Sequence, residues 1–264
     1  VSKNDLVLEV GSGGNPYPRA NVLLDAYEET SERYWAPLIA DRPMVLGFGE
    51  KLPFKDKSFD FVIASHVLEH SSQPEKFLAE LQRVAKAGYI EVPDAFMERI
   101  NPYTDHRLEI TCREKKLIIK KKPRYVVEHD IVELYENRVK PFLTQELIPK
   151  RPFAFHVRYY WKDKIDFTVM NADVDASWTA TEFCSKSEVP VMSIKSRLKD
   201  VTLNTVRLAL SQNIRNKKID LFNLLLCPSC SSTLLSKTPD RIKCNDCNAT
   251  YQLQQNIPTM FPQV

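Results

Sequence analysis

The residues whose types and spacing point most directly to chemistry are four cysteines near the C-terminal end. Cys227 and Cys230 form one CxxC pair, and Cys244 and Cys247 form a second, with residues 231–243 between them. Each pair places two thiolates on a tight turn, and the intervening segment can form a hairpin that joins the turns. Four thiolates in a tetrahedral array favour a structural Zn²⁺ with no open coordination position. Two disulfides or unrelated thiols are the alternatives. We favour zinc because no signal peptide is visible and the chain is not a small secreted scaffold.

A second chemical feature is the segment 8–16, which reads LEVGSGGNP. A strand that delivers Gly11 and Gly13 into a loop lets the backbone approach a ligand closely. The GxGxxG pattern of a nicotinamide-cofactor site is incomplete here, because Asn15 and Pro16 follow and its third glycine does not occur. Asp25 ends the next apolar run, where a carboxylate can accept hydrogen bonds from two ribose hydroxyls.

These residues need a scaffold, and the first hundred residues supply it by alternating strand and helix. The predicted strands cover residues 6–10, 22–24, 44–46, 59–64 and 89–92. A helix is expected after Ser72, which with Glu75 would form a capping box, and Gly88 is expected to end it. This rhythm predicts an α/β fold with a Rossmann-like, mostly parallel sheet and functional loops at the carboxyl ends of the strands.

The pattern changes in residues 101–195, which we interpret as an antiparallel insertion or substrate cap on a core formed by residues 1–100. Two hairpins are predicted, 108–112 with 117–120 and 155–161 with 165–169, and a helix is predicted over 131–139. The mixture of aromatic and polar side chains here is typical of a pocket lid, and an ordinary antiparallel core is the alternative. The lid residues would be His106, His156, Tyr159 and Trp161.

Residues 196–220 are predicted to be a connecting helix, amphipathic over 196–216, and residues 221–264 the zinc ribbon. No run is long and apolar enough to cross a bilayer. The cysteine usage predicts a reducing, cytoplasmic compartment, in which Cys112 and Cys184 are expected to be packed or idle. The net charge of +3 on 264 residues does not by itself indicate a nucleic-acid binder.

Residues 5–94 as a whole resemble class I S-adenosylmethionine (SAM) methyltransferases of the broad small-molecule type. After the glycine loop, residues 52–60 read LPFKDKSFD, residues 67–70 read VLEH and residues 80–84 read ELQRV. Several motifs therefore agree in order and in spacing. The resemblance implies an enzyme of the transferase class that moves a methyl group from SAM to an acceptor.

The resemblance also implies roles for individual residues. Gly11, Ser12 and Gly13 would approach the methionine part of SAM, and Glu9 would orient this loop and the ammonium end. Asp25 would hold the ribose. The adenine would be flanked by Glu50, Lys51 and Leu52, and the cofactor would be lined by Ser65 and His66. Apart from the resemblance, a hydroxyl acceptor needs a base, and the candidate catalytic bases are His70, Asp94, Asp105 and His106.

Three departures from the family pattern concern the cofactor site. Asn15 stands in place of the third glycine, and the short interval before Asp25 leaves little room for the usual first helix. Phe48 stands where many relatives carry the aspartate that hydrogen-bonds adenine.

Residues 221–263 are similar to the zinc ribbon of the small activator subunit of tRNA and protein methyltransferases. Residues 224–230 read LLLCPSC and residues 256–261 read NIPTMF. Asn248 and Asn256 replace two glycines of that pattern, and we expect positive φ at both, where asparagine is tolerated best after glycine. In that family the ribbon often binds or is fused to a methyltransferase.

Together these observations predict a SAM-dependent methyltransferase with a C-terminal zinc ribbon, acting on a hydroxyl of a small molecule, a sugar or a glycan precursor. One alternative is a tRNA or protein methyltransferase that docks through the ribbon and a basic hairpin near Lys115–Arg124. Such a lysine run is more often the solvated face of an edge hairpin. Another alternative is a non-catalytic binding protein built on the same fold.

Overall fold

The computed structural model of the chain describes residues 1–33, 35–179, 202, 205, 207 and 209–263. It has the mixed α/β fold that the sequence predicts. The core strands are β1 Val7–Val10, β2 Val22–Asp25, β3 Met44–Leu46, β4 Phe59–Ser65 and β5 Ala85–Pro93. Later strands are β6 Leu108–Arg113, β7 Lys116–Lys121, β8 His156–Lys162, β9 Phe167–Val169, β10 Leu235–Lys237, β11 Arg241–Cys244, β12 Thr250–Gln254 and β13 Ile257–Thr259.

Among the described residues, one sheet of ten strands has the order β10-β11-β12-β13-β3-β2-β1-β4-β5-β8. The run from β13 to β5 is parallel, which gives the mostly parallel Rossmann-like sheet, and β8 closes it as an antiparallel edge. Every residue of β1, β2 and β3 is buried, as expected for strands covered on both faces. The hairpin β6–β7 is confirmed, and β9 joins it to make a separate three-stranded sheet.

Helices are shorter and fewer around the glycine loop than in the rest of the fold. The interval between β1 and β2 contains no helix, as the short sequence there predicts. The α-helices beside the core are α1 Pro74–Val84 and α2 Ala95–Ile100, and 3-10 turns cover Ser31–Arg33, Leu68–His70 and Phe222–Leu224. A helical segment over residues 129–150 contains the predicted helix 131–139 and alternates α turns with the π turns Tyr135–Val139 and Leu143–Leu147.

The expected ends of α1 are wrong. The N-cap is Gln73, without a side-chain cap bond, so the capping box of Ser72 and Glu75 does not form. The helix ends at Val84. Gly88 is the fourth residue of β5 and lies opposite Trp161 of β8. A Cβ on Gly88 would lie 2.6 Å from the indole nitrogen of Trp161. This glycine therefore makes room for an aromatic ring in the neighbouring strand and does not cap a helix.

The second predicted hairpin is also wrong. β8 pairs with β5 in the main sheet, whereas β9 pairs in parallel with β7 in the small sheet. Val157, Tyr159 and Trp161 alternate along β8 onto its buried face, and the last two are each 6% exposed. Tyr159 and Trp161 are thus core residues. The lid interpretation is wrong for them, because the inward face of the edge strand β8 must be apolar to pack on the core.

The ribbon joins the core by extending its sheet. β13 pairs in parallel with β3, and the Met260 amide donates to the carbonyl oxygen of Leu46 at 2.7 Å. On the other side, the Leu226 amide donates to Pro53 O at 3.1 Å and the Lys55 amide donates to Leu224 O at 2.9 Å. Met260 is fully buried at this junction. The open edge of β3 is therefore covered by the ribbon.

Part of the predicted connecting helix lies outside the described residues, and so does Cys184. The helix positions concerned are residues 196–201, 203, 204, 206 and 208. Residues 202, 205, 207, 209 and 210 are helical, and a separate short helix, Asn213–Asn216, follows. Arg207 pairs with Asp41 at 3.2 Å, and the Asn216 side chain accepts from that of Asn21 at 2.8 Å, so this end packs on the core. No helix in the described part of the chain is long and apolar enough to cross a membrane.

Candidate functional site

The four predicted metal ligands lie together in the ribbon. The Sγ atoms of Cys227 and Cys247 are 3.6 Å apart, and so are those of Cys230 and Cys244. A tetrahedron with zinc–sulfur bonds of about 2.3 Å has edges of about 3.8 Å, whereas a disulfide bond measures about 2.05 Å. The four sulfur positions therefore fit one metal ion, and all four thiols are free. Asn248 and Asn256 have φ values of +62° and +66°, as expected for replaced glycines.

The glycine loop follows β1 and is held by backbone contacts. Gly11 and Gly13 have φ of +72° and +55°, and a Cβ on Gly11 would lie 2.7 Å from the Val67 side chain. The buried Glu9 side chain accepts a hydrogen bond from the Tyr17 amide at 2.9 Å. Glu9 therefore shapes the loop from beneath and does not reach the cavity described below.

Asp25 ends β2 and stabilises the same loop. Its carboxylate accepts from the Gly13 amide at 2.8 Å and from the Tyr27 amide at 3.1 Å. Arg33 Nη1 lies 3.2 Å from Oδ1, the oxygen that accepts from Tyr27, and Arg33 also donates to the Tyr27 carbonyl oxygen. Sequence reasoning missed Arg33, whose only signal was a cation a few residues beyond the acidic strand end.

A cavity of about 760 Å³ opens at the carboxyl ends of β1, β2, β3, β4 and β5, where ligands bind in open α/β sheets. The predicted cofactor residues that line it are Gly11, Gly13, Asp25, Glu50, Ser65 and His66. Phe48 also lines the cavity and packs against Phe261 of the ribbon, with ring centroids 4.6 Å apart.

Other predicted residues lie outside the described lining of this cavity. Ser12 and Leu52 are buried, and Lys51 points away to donate to Ser231 of the ribbon at 3.2 Å. Asp94 is the N-cap of α2 and accepts from the Met97 amide at 2.9 Å. A carboxylate committed to a helix cap is poorly placed as a catalytic base.

Histidines from the loop after β4, from the loop before β6 and from the start of β8 gather in one part of the cavity, which we call the histidine end. Four of the five histidines of the chain line it: His66, His70, His106 and His156. The rings of His70 and His106 pack edge to face at 4.8 Å, and those of His66 and His156 at 5.2 Å. Both lid histidines therefore lie at the site, whereas Tyr159 and Trp161 do not line it.

Carboxylates that sequence reasoning left without a role surround these rings. Glu69 is fully enclosed, and its Oε1 lies 3.4 Å from His66 Nδ1. Glu98 accepts from His106 Nδ1 at 2.7 Å and from Lys122 Nζ at 2.6 Å. Their signals were weak: Glu69 sits in the VLEH motif, and Glu98 is the acidic residue of the short helix α2 that is buried.

This environment shifts the pKa values of the histidines in different directions. The Glu69 carboxylate beside the imidazole raises the pKa of His66 above its ordinary value. Burial alone would lower the pKa of His106, but the bond to Glu98 and the nearby Glu69 raise it overall. Burial and the neighbouring His66 lower the pKa of His156. The cavity therefore holds imidazoles of different basicity, which suits proton transfer near neutral pH.

Glu9 gives a prediction about stability. Burial raises its pKa to about 8. Because an unfolded glutamate ionises near 4.5, the unfolded chain loses this proton first, and the free energy of unfolding falls as pH rises from about 5 to 8. Glutamine cannot ionise, so Glu9→Gln should lack this pH-dependent contribution. We therefore expect the free energy of unfolding of Glu9→Gln, relative to that of the parent, to rise by up to about 1.4 kcal/mol per pH unit. Urea unfolding at pH 5, 6.5 and 8 measures this, and a difference that does not change with pH would contradict it.

The chain is similar to known proteins over part of its length. Residues 8–90 match the family model described as a methyltransferase domain, which supports an enzyme of the methyltransferase class and the use of SAM. An uncharacterized protein of Methanocaldococcus jannaschii is 44% identical over 45 residues, which are 17% of this chain and 22% of that protein. The chain thus matches less than a quarter of this curated relative.

Two solved structures are also similar. A chain in the complex containing the Haloferax volcanii Trm112 methyltransferase activator is 18% identical, with a TM-score of 0.31, covering 42% of this chain and 65% of that chain. A SAM-dependent methyltransferase from Aquifex aeolicus is 21% identical, with a TM-score of 0.28, covering 50% of this chain and 70% of that chain. At these scores neither likeness adds to the argument.

Proposed function

We propose that this chain is a SAM-dependent methyltransferase acting on a hydroxyl of a small molecule, a sugar or a glycan precursor. The observation that carries the proposal is the match of residues 8–90 to the methyltransferase-domain family, together with the cavity at the carboxyl ends of the strands. SAM supplies an activated methyl group on a sulfonium, so the protein has to align donor and acceptor and accept a proton.

The charge of the cavity supports this choice of donor. Six carboxylates line it: Asp25, Glu32, Glu50, Glu69, Glu98 and Asp105. Against these six carboxylates, the lysine and arginine side chains among the described lining residues are only Arg33 and Lys140. A cationic sulfonium and ammonium group are attracted to such a surface. The glycine loop and Asp25 would receive the cofactor, and the histidine end would receive the acceptor.

The same charge disfavours nucleic acid as the acceptor, because phosphates are repelled by carboxylates. The basic hairpin offers little compensation. Lys121 pairs with Glu75 at 3.2 Å, Lys122 with Glu98 at 2.6 Å, and Lys120 with Glu109 at 3.7 Å. Lys121 and Lys122 are largely buried and cannot face a phosphate backbone. These contacts favour a neutral hydroxylated acceptor.

We also propose that the four-cysteine site holds Zn²⁺ and that its role is structural. The domain division that we propose is a core over 1–100, an insertion over 101–195, a connecting segment over 196–220 and a ribbon over 221–264. The ribbon would hold the adenine side of the cavity, because Phe261 packs on Phe48 directly after β13 pairs with β3.

Methyl transfer tests the proposal. The intact chain is incubated with SAM labelled in the methyl group, and label is followed into neutral polyhydroxylated compounds, tRNA and protein. We expect label in the first class only. Transfer to tRNA that declines steeply as salt is raised would support the docking alternative. SAM binding without transfer to any class would support the non-catalytic alternative.

A substitution at Asp25 tests the cofactor site. Charge-assisted hydrogen bonds to a ribose are worth about 1.5–3 kcal/mol each, so Asp25→Ala should raise the Kd for SAM at least tenfold. The control is Glu28→Ala, which removes an exposed carboxylate three residues away and should leave the Kd near that of the parent. Titration calorimetry measures both. Equal affinity in Asp25→Ala and the parent would show that β2 does not carry the ribose site.

A further inference from the structure

The histidine end of the cavity contains a group of side chains suited to a metal ion. Glu69, His70 and His106 each offer one ligand atom, and these atoms all lie within 4.8 Å of one another. Glu69 and His70 come from the 3-10 turn after β4, and His106 comes from the loop before β6. The Arg107 amide donates to the Glu69 carbonyl oxygen at 2.7 Å, which fixes the two segments together.

The Glu69 carboxylate gives an independent reason to expect a cation. Its side chain is 2% exposed, and neither oxygen has a hydrogen-bond partner. The contact of 3.4 Å to His66 Nδ1 is an ion-pair distance without hydrogen-bond geometry. His70 Nδ1, which lies 3.4 Å from Asp105 Oδ2, is also buried without a hydrogen-bond partner. A buried carboxylate of this kind is costly unless a positive charge compensates it.

The surroundings of His106 resemble those of a metal ligand. Its Nδ1 is held by Glu98 at 2.7 Å, which leaves Nε2 available. A carboxylate on the far nitrogen is the usual arrangement for a metal-bound histidine, since it fixes the ring and raises its basicity. Glu98 is itself anchored by Lys122.

A neighbouring group, His66, Glu91 and His156, is a weaker candidate. Its carboxylate already has partners, because Glu91 accepts from the Tyr89 hydroxyl and lies 3.7 Å from Arg158 Nε. The His66 side chain is 47% exposed. Of the two carboxylates, the one whose oxygens have no hydrogen-bond partner among the described residues is therefore Glu69 and not Glu91.

We propose that Glu69, His70 and His106 bind a divalent first-row transition metal, with open positions that receive the acceptor hydroxyl. Two imidazoles and one carboxylate are a known donor set for such ions. This inference rests on the proposed function and assigns the acceptor class more closely, to hydroxyl groups that can coordinate a metal. Coordination lowers the pKa of the hydroxyl. Its proton leaves to water, the oxygen bonds to the methyl carbon, and the carbon–sulfur bond breaks with its electron pair remaining on sulfur.

Manganese binding tests the site without any turnover. Mn²⁺ favours nitrogen and oxygen ligands over thiolates, so it distinguishes this cluster from the four cysteines. The intact, zinc-replete chain is titrated with Mn²⁺ in the absence of SAM, by calorimetry and by the paramagnetic resonance signal of free Mn²⁺. We expect one saturable site in the parent and at least tenfold weaker binding in Glu69→Gln and in His106→Gln. His129→Gln is the control, since this histidine does not line the cavity, and it should bind as the parent does.

Three results would overturn the inference: no saturable Mn²⁺ site in the parent, parental affinity in Glu69→Gln, or loss of binding in His156→Gln alone. Circular dichroism on each variant establishes that it is folded. SAM titrations on the same samples separate the two proposals. SAM binding without Mn²⁺ binding rejects the metal site and leaves the proposed function standing, whereas Mn²⁺ binding without SAM binding rejects the function.

Discussion

Replacing Cys244 by serine should remove the metal and unfold the ribbon. Cys244 is fully buried at the end of β11 and supplies one of the four thiolates. Structural zinc sites in small modules contribute about 10–16 kcal/mol of apparent binding free energy at neutral pH, and most of it is folding free energy. We therefore expect less than one tenth of the parental metal content and a separate, early unfolding transition for residues of the ribbon.

The effect should also reach the cofactor cavity. Without β13, the edge of β3 loses its parallel partner, and Phe48 loses the ring of Phe261. We expect weaker SAM binding in Cys244→Ser as a result. Metal analysis and thermal unfolding measure the direct effect, and Cys112→Ser is the control because this exposed thiol lies outside the cluster. A Cys244→Ser protein with full metal content and parental stability would refute the ribbon account.

Replacing Trp161 by alanine should destabilise the core by about 3–5 kcal/mol, as expected when a buried tryptophan is truncated. The indole packs against Gly88 across the β5–β8 pair, so truncation of the side chain removes buried atoms from the core. Tyr160 is the matched control, because it is the next residue on β8 but is 65% exposed on the opposite face. Tyr160→Ala should cost about 1 kcal/mol.

Denaturant unfolding of both variants decides the role of this strand. A Trp161→Ala protein as stable as the parent but unable to transfer methyl groups would restore the lid interpretation. His106 is a different case, since it lines the cavity, and its replacement should act on the site more than on the fold.

The parts of the fold that could be predicted are those with local signals. The glycine loop, the apolar runs of β1 to β4 and the β6–β7 hairpin are encoded by neighbouring residues, and so are the CxxC turns of the ribbon. The positive φ at Asn248 and Asn256 followed from the same local reasoning. Each of these depends on contacts within a few residues along the chain.

The parts that could not be predicted depend on residues far apart in sequence. Gly88 has the local pattern of a helix end, and only the approach of Trp161, 73 positions later, explains its place in β5. The partner of β8 is chosen by the open edge of the sheet and not by the turn that follows β8. The contacts of Glu98 with His106 and Lys122, and the enclosure of Glu69, likewise arise only once the insertion packs on the core.

The proposed function requires that the cavity at the carboxyl ends of β1 to β5 binds SAM. The most direct measurement is calorimetric titration of the folded, zinc-replete chain with SAM and with its demethylated product, S-adenosylhomocysteine. We expect each compound to bind to one site per chain and to displace the other. Binding of neither compound by the folded chain would contradict the proposed function.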